Sequence, residues 1–305
     1  MQKRLSDYFQ LTIKYNDKKT CFIYDPLNKR AFFASSPLPT DTFIVKKCGL
    51  QLFYRDAILY CPYPIPSVNS DASIPLLKSN LQKAIRRQHT DIACQSALAI
   101  FNQSPVDLMR RLGIIYIEDV CLQDSYSIIV WWMMSDTHYK YTIYDQSVLI
   151  SIIVSLCNCV TVYEEDSEDN IDSNIDSNID AVEALHYRHL YGGTKGDMAM
   201  IQKAFMYYKA FPEKVVSADY DAVWPNMNYE VEILEESIDF HVYPIMLTIL
   251  SKKTGIDPSI IKEAIWKTES RLNVRKKQVN DTDSQIWEKI ARHITSVRYA
   301  VIGYS

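Results

Sequence analysis

CPYPIPS, residues 61–67, divides the chain into two kinds of sequence. Pro62, Pro64 and Pro66 each fix φ and remove a backbone donor, and each pushes the residue before it out of the helical region. Such a stretch ends whatever precedes it and reads as a linker. Upstream of it the segments LTIKY, CFIYD, RAFFA, TFIVKK, LQLFYR and AILYC are short and rich in β-branched and aromatic residues. Asn16-Asp17 and Pro26-Leu27-Asn28 supply turns between them, so residues 10–66 are expected to form a small β-rich module.

Downstream the period changes to that of a helix. In IPLLKSNLQKAIRRQ, Leu77, Leu81, Ala84 and Ile85 fall on one face. Lys83, Arg86 and Arg87 cluster near its C-terminal end, where cations suit the helix dipole. DIACQSALAIFNQ gives a second helix. A third opens at Ser104-Pro105-Val106-Asp107, with Ser at the cap and Pro in the first turn. It buries Leu108, Met109, Leu112 and Ile115 and exposes Arg110 and Arg111. SIIVWWMM (127–134) and VLISIIVSLCNCVTV (148–162) are too short to span a membrane and are read as buried elements. A helical domain over residues 67–163 follows. EEDSEDNIDSNIDSNID, residues 164–180, repeats N-I-D-S, cannot pack a core and is expected to be a disordered acidic loop. Residues 181–305 return to helical patterns. Asp257 caps and Pro258 starts one helix that buries Ile261, Ala264 and Ile265, and DTDSQIWEKIARHI is a last capped helix. The fold class is α+β: a small β-rich N-terminal module followed by a mainly α-helical body.

Composition narrows the chemistry. The chain has 305 residues, 48% of them hydrophobic, and a net charge of −4, so any nucleic-acid contact must come from a local basic patch. Seven glycines argue against glycine-rich phosphate loops. Gly192-Gly193-Thr194-Lys195-Gly196 lacks the spacing of such a loop, and a Thr194-x-x-Asp197 helix cap accounts for it. Seven cysteines at irregular spacings, with no signal peptide before them, read as reduced thiols of an intracellular protein. His186 and His189 stand three apart on a helix but lack further ligands. Glu118-Asp119 is an acid pair that could hold Mg²⁺, with His241 a further candidate. No catalytic residue, metal or cofactor is assigned.

The first nine residues, MQKRLSDYF, carry Gln2, Leu5, Tyr8 and Phe9. They resemble the PIP box, Q-x-x-[aliphatic]-x-x-[aromatic]-[aromatic], by which replication and repair proteins dock on the sliding clamp, proliferating cell nuclear antigen (PCNA). A 3₁₀ turn brings positions three apart to one side, so Leu5 and Tyr8 would form one apolar plug, with Phe9 beside it and Gln2 bonding at the rim. Residues 80–120 resemble the helical region that follows the ATPase module in the MgsA/RarA/WRNIP family of clamp-loader-related AAA+ proteins. The matching residues are Gln82, Lys83, Ala84, Ile85, Arg86, Asp91, Ala93, Arg110, Arg111, Leu112, Glu118 and Asp119. The ATPase domain is absent, so the resemblance carries over no ATP hydrolysis.

Together these imply a non-catalytic accessory factor of DNA replication or repair, in the nucleus or at a viral replication site in the cytoplasm. Residues 1–9 would tether it to the clamp. Lys83, Arg86, Arg87, Arg110, Arg111, Arg271, Arg275, Lys276 and Lys277 would contact DNA phosphates or a replication partner. The alternatives are a clamp-tethered, metal-dependent nuclease built on Glu118 and Asp119, and a purely structural scaffold.

Overall fold

The structure, a computed structural model, describes residues 19–59, 61, 64–159, 175–269 and 280–302. The clamp-binding set Gln2, Leu5, Tyr8 and Phe9, the segment LTIKY, and Arg271, Arg275, Lys276 and Lys277 lie outside the described residues.

Two hairpins make the sheet. β1 (Cys21–Asp25) pairs antiparallel with β2 (Arg30–Ala34), and β3 (Asp41–Lys47) with β4 (Leu50–Arg55). The first turn is held by the Asp25 carboxylate, which accepts from the Asn28 backbone N–H and side-chain amide. The second is the pair Cys48-Gly49, at φ 48° and 82°, a two-residue turn in which a left-handed backbone matches the strand twist. A parallel pairing of β1 with β4 joins the hairpins in the order β2-β1-β4-β3. β1 is buried along its whole length, which explains its apolar and aromatic run Cys21 to Tyr24; the buried Asp25 that ends it pairs with Arg55. AILYC does not continue the sheet: Ala57 to Leu59 form no strand, and Ile58 is wholly exposed. The chain leaves the sheet after Arg55, whose guanidinium is held by Asp25 and Asp41.

Ten α-helices follow among the described residues. They are α1 (Ile74–Arg86), α2 (Thr90–Gln103), α3 (Pro105–Glu118), α4 (Tyr126–Ser135), α5 (Ile143–Asn158), α6 (Ile175–Tyr191), α7 (Lys195–Ala210), α8 (Glu235–Thr254), α9 (Pro258–Glu269) and α10 (Asp281–Ile302). The buried stripes of α1 and α3 are those read from the period, with Leu77, Leu81, Ala84, Ile85, Leu108, Met109, Leu112 and Ile115 all without solvent contact. SIIVWWMM becomes α4, buried at every position, and the long apolar run becomes α5.

The sheet does not pack alone. Phe22, Tyr24, Phe33, Leu50 and Leu52 share one core with α1 to α7. Trp131 of α4 donates its indole N–H to the Phe22 carbonyl at 3.0 Å. Tyr24 of β1 and Tyr139 each donate to the Asp145 carboxylate at 2.9 Å. A second core lies among α8, α9 and α10, built from Met246, Leu250, Ile261, Ile265, Ile290, Ile294 and Val297.

The acidic segment needs one correction. α6 begins at Ile175, so the last residues of the expected loop are helical. Asn178 is buried, and Asp180 accepts the Phe33 backbone N–H at 3.1 Å. An edge-strand amide offers the final acid of the repeat a partner that composition cannot reveal. No helix among the described residues is long and apolar enough to cross a membrane.

Candidate functional site

α1 presents Gln82 and Arg86 one turn apart, and α3 ends at Glu118 with Asp119 as its C-cap. These meet. Arg86 Nε donates to Asp119 Oδ1 at 2.7 Å. Gln82 Nε2 donates to Asp119 Oδ2 at 2.6 Å and to Glu118 Oε2 at 3.1 Å, while its Oε1 accepts from Arg111 Nη1 at 3.1 Å. Burial pushes the Asp119 carboxyl up to about 6, with Arg86 and Gln82 opposing the rise. The two formal positive charges, Arg86 and Arg111, balance the two acids. Five residues that carry the AAA+ resemblance thus close one network that fastens α1 to the end of α3.

This arrangement decides what the acid pair can do. Asp119 is spent on a guanidinium and an amide, and Glu118 on the same amide. Among the described residues no group of three His, Cys, Asp or Glu side chains is placed to hold a metal. His241 falls within α8, its side chain outside the described residues. His186 packs its ring against Phe205, and burial lowers its pKa. None of the seven cysteines, all of them described residues, forms a disulfide, and Cys121 and Cys159 bring their Sγ atoms to 3.3 Å.

The expected basic face separates into two groups. Arg86 and Arg111 belong to the network above. Arg87 pairs with Glu236 of α8, and Lys83 is not a free cation. Arg110 differs: it is exposed, pairs with no carboxylate among the described residues, and lays its guanidinium 5.2 Å from the centroid of the Tyr191 ring. Lys47 of β3 approaches the same ring at 5.1 Å. One turn before Tyr191, Arg188 is only 3% exposed. Its Nη1 donates to the Gly192 carbonyl at 2.8 Å, and its Nε meets no acceptor. Burial lowers the Arg188 pKa, and neighbouring Arg110 lowers it further. Gly113 of α3 makes the passage for this side chain, since a Cβ there would sit 3.3 Å from Arg188 Nε.

The sequence reading singled out Arg110 but missed Lys47, Tyr191 and Arg188. One signal was present for Arg188. It lies in register with Ala181, Ala184 and Leu185 on the buried stripe of α6, and an Arg in an apolar stripe marks a buried charge. The Gly192–Gly196 turn behaves as expected: Thr194 Oγ accepts the Asp197 backbone N–H at 3.3 Å and caps α7.

Comparison with protein-family models, with curated proteins and with solved structures gives no match.

Proposed function

We propose that this protein is a non-catalytic accessory factor of DNA replication or repair, tethered to a sliding clamp by its first nine residues and meeting DNA or a replication partner through cations of its helical body. The observation that carries the reading is the spacing Gln2, Leu5, Tyr8, Phe9, which sets an aliphatic and two aromatic anchors in the register of a clamp-docking peptide. Arg110 supports the second half, as an exposed cation from the expected set that forms no ion pair among the described residues. The nuclease alternative draws no support from the acid pair: both Asp119 oxygens accept from Arg86 and Gln82, and Glu118 accepts from the same Gln82 amide.

A titration of a labelled peptide of residues 1–15 against a sliding clamp tests the reading. Micromolar binding is expected, lost in the Leu5→Ala/Tyr8→Ala/Phe9→Ala peptide. Equal binding of the two peptides, or none, removes the clamp from the account.

A further inference from the structure

A guanidinium withdrawn from water and left without a carboxylate is costly. Arg188 is in that position, with a single backbone carbonyl as hydrogen-bond partner among the described residues. Its two terminal nitrogens lie under Gly193, where a Cβ would stand 3.8 Å from each. Gly193 to Gly196 are exposed, so this guanidinium lies just beneath a surface turn. The same turn opens α7, a helix of 16 residues. Thr194 caps the Asp197 N–H, and the N–H groups of Lys195 and Gly196 have no acceptor among the described residues. Arg110 and Lys47 flank Tyr191 beside the turn. Asp197 faces Arg188 from the first turn of α7 without pairing with it, and a ligand must outweigh that acid.

Arg110 and Lys47 share the Tyr191 ring, Arg188 lies by Gly193, and the amide end of α7 starts one residue further on. We propose that Arg188, Arg110, Lys47 and the first-turn amides of α7 form a binding site for a phosphate group. Helix-end amides and guanidinium forks both match phosphate oxygens, and the positive end of the helix dipole favours the charge. The group comes from the backbone of a nucleic-acid strand or from free phosphate. The first source rests on the reading that the protein meets DNA.

Two measurements on the full-length protein test the site. One is the rise in unfolding temperature with inorganic phosphate over chloride at matched ionic strength. The other is fluorescence anisotropy of a labelled oligothymidine across a salt series. The variants are Arg110→Ala, at an exposed position, and Gly196→Glu. A Cβ at Gly196 meets nothing within 4 Å. Glutamate in the first turn of a helix favours the helix, so Gly196→Glu is expected to fold at least as well as the parent while repelling an anion. Phosphate is expected to stabilise the parent and neither variant. Oligothymidine affinity is expected to fall about tenfold in each variant, with the salt slope reduced by about one in Arg110→Ala. Phosphate stabilisation that both variants abolish, with no oligothymidine binding, keeps the site and overturns the DNA reading. Oligothymidine binding equal in parent and variants, without phosphate stabilisation, overturns the site and leaves the DNA reading to other residues. Absence of both signals overturns both.

Discussion

Asn80 shows how much one side chain decides. It has no solvent contact, and it makes every hydrogen bond an amide can make. Its Nδ2 donates to Ser96 Oγ at 2.9 Å and to the Glu232 carbonyl at 2.8 Å. Its Oδ1 accepts from the Leu234 N–H at 2.8 Å and from Ser237 Oγ at 3.0 Å. It therefore binds α1 to α2 and to the segment that leads into α8. Asn80→Asp keeps the shape but loses both donors and sets a carboxylate against a carbonyl. Such buried losses cost about 3 kcal/mol, and urea unfolding is expected to show that decrease. A decrease below about 1 kcal/mol would mean that the segment holds without this amide. The position was legible, because Asn80 interrupts the stripe of Leu77, Leu81 and Ala84. Its partners were not, because Glu232 lies 152 residues away along the chain. Arg188 repeats the case: its burial could be read from helical register, but its lack of an acid partner could not.

At the scale of elements, sequence legibility followed periodicity. α1, α3 and α9 each have one wet face, and their stripes were read residue by residue. α4 and α5 are covered all round, so no period survives and only their burial could be read. Caps follow the same division. Asp257 before Pro258 is an exposed signal that acts locally, accepting the Ser259 N–H at 2.8 Å. Ser104 departs from expectation: its hydroxyl donates to the Asp107 side chain at 2.8 Å, and Lys78 pairs with that acid. Asp145 completes a capping box with Thr142 at the start of α5 and also receives the hydroxyls of Tyr24 and Tyr139. The two aspartates should therefore differ as caps. Asp257→Ala is expected to cost about 1 kcal/mol, the ordinary value for an exposed cap. Asp145→Ala strands two tyrosine hydroxyls in the core as well, and roughly 4 kcal/mol is expected from cap and orphaned groups together. Denaturant unfolding of both variants checks the ordering, and equal losses would show that the tyrosine bonds add nothing to the cap.

Across the whole molecule, CPYPIPS separates two classes of secondary structure, while the cores divide elsewhere. The sheet shares its core with α1 to α7, and the second core lies in the C-terminal helices. Proline placement is local and legible, whereas core membership depends on pairings such as Trp131 with Phe22, 109 residues apart. Packing sheet and helices together also buries acids. Burial pushes Asp119 and Asp180 up to about 6, and raises Asp124, Asp145 and Glu183. Lys78 holds Asp107 below its ordinary value, and Arg55 does the same for Asp41 against the opposing effect of burial. For the raised group, the native state binds more protons than the unfolded chain between the ordinary carboxylate value and about 6. Their stabilisation is complete below the unfolded value and is lost as pH rises through about 6. The lowered acids act oppositely and lose their contribution only as pH falls below the ordinary carboxylate range. Stability should therefore be greater at pH 5 than at pH 7.5, with His186, whose pKa burial lowers, opposing part of the change as pH falls. Asp119 and Asp180 would each contribute roughly 1.4 kcal/mol to the difference, about half of their full linkage, since part is already lost at pH 5. Thermal unfolding at fixed ionic strength checks the sign. Asp180→Asn, which removes one titrating acid beside β2, should flatten the profile. An unfolding temperature that climbs steadily from pH 5 to pH 7.5 would show that the ion pairs of these acids outweigh their burial.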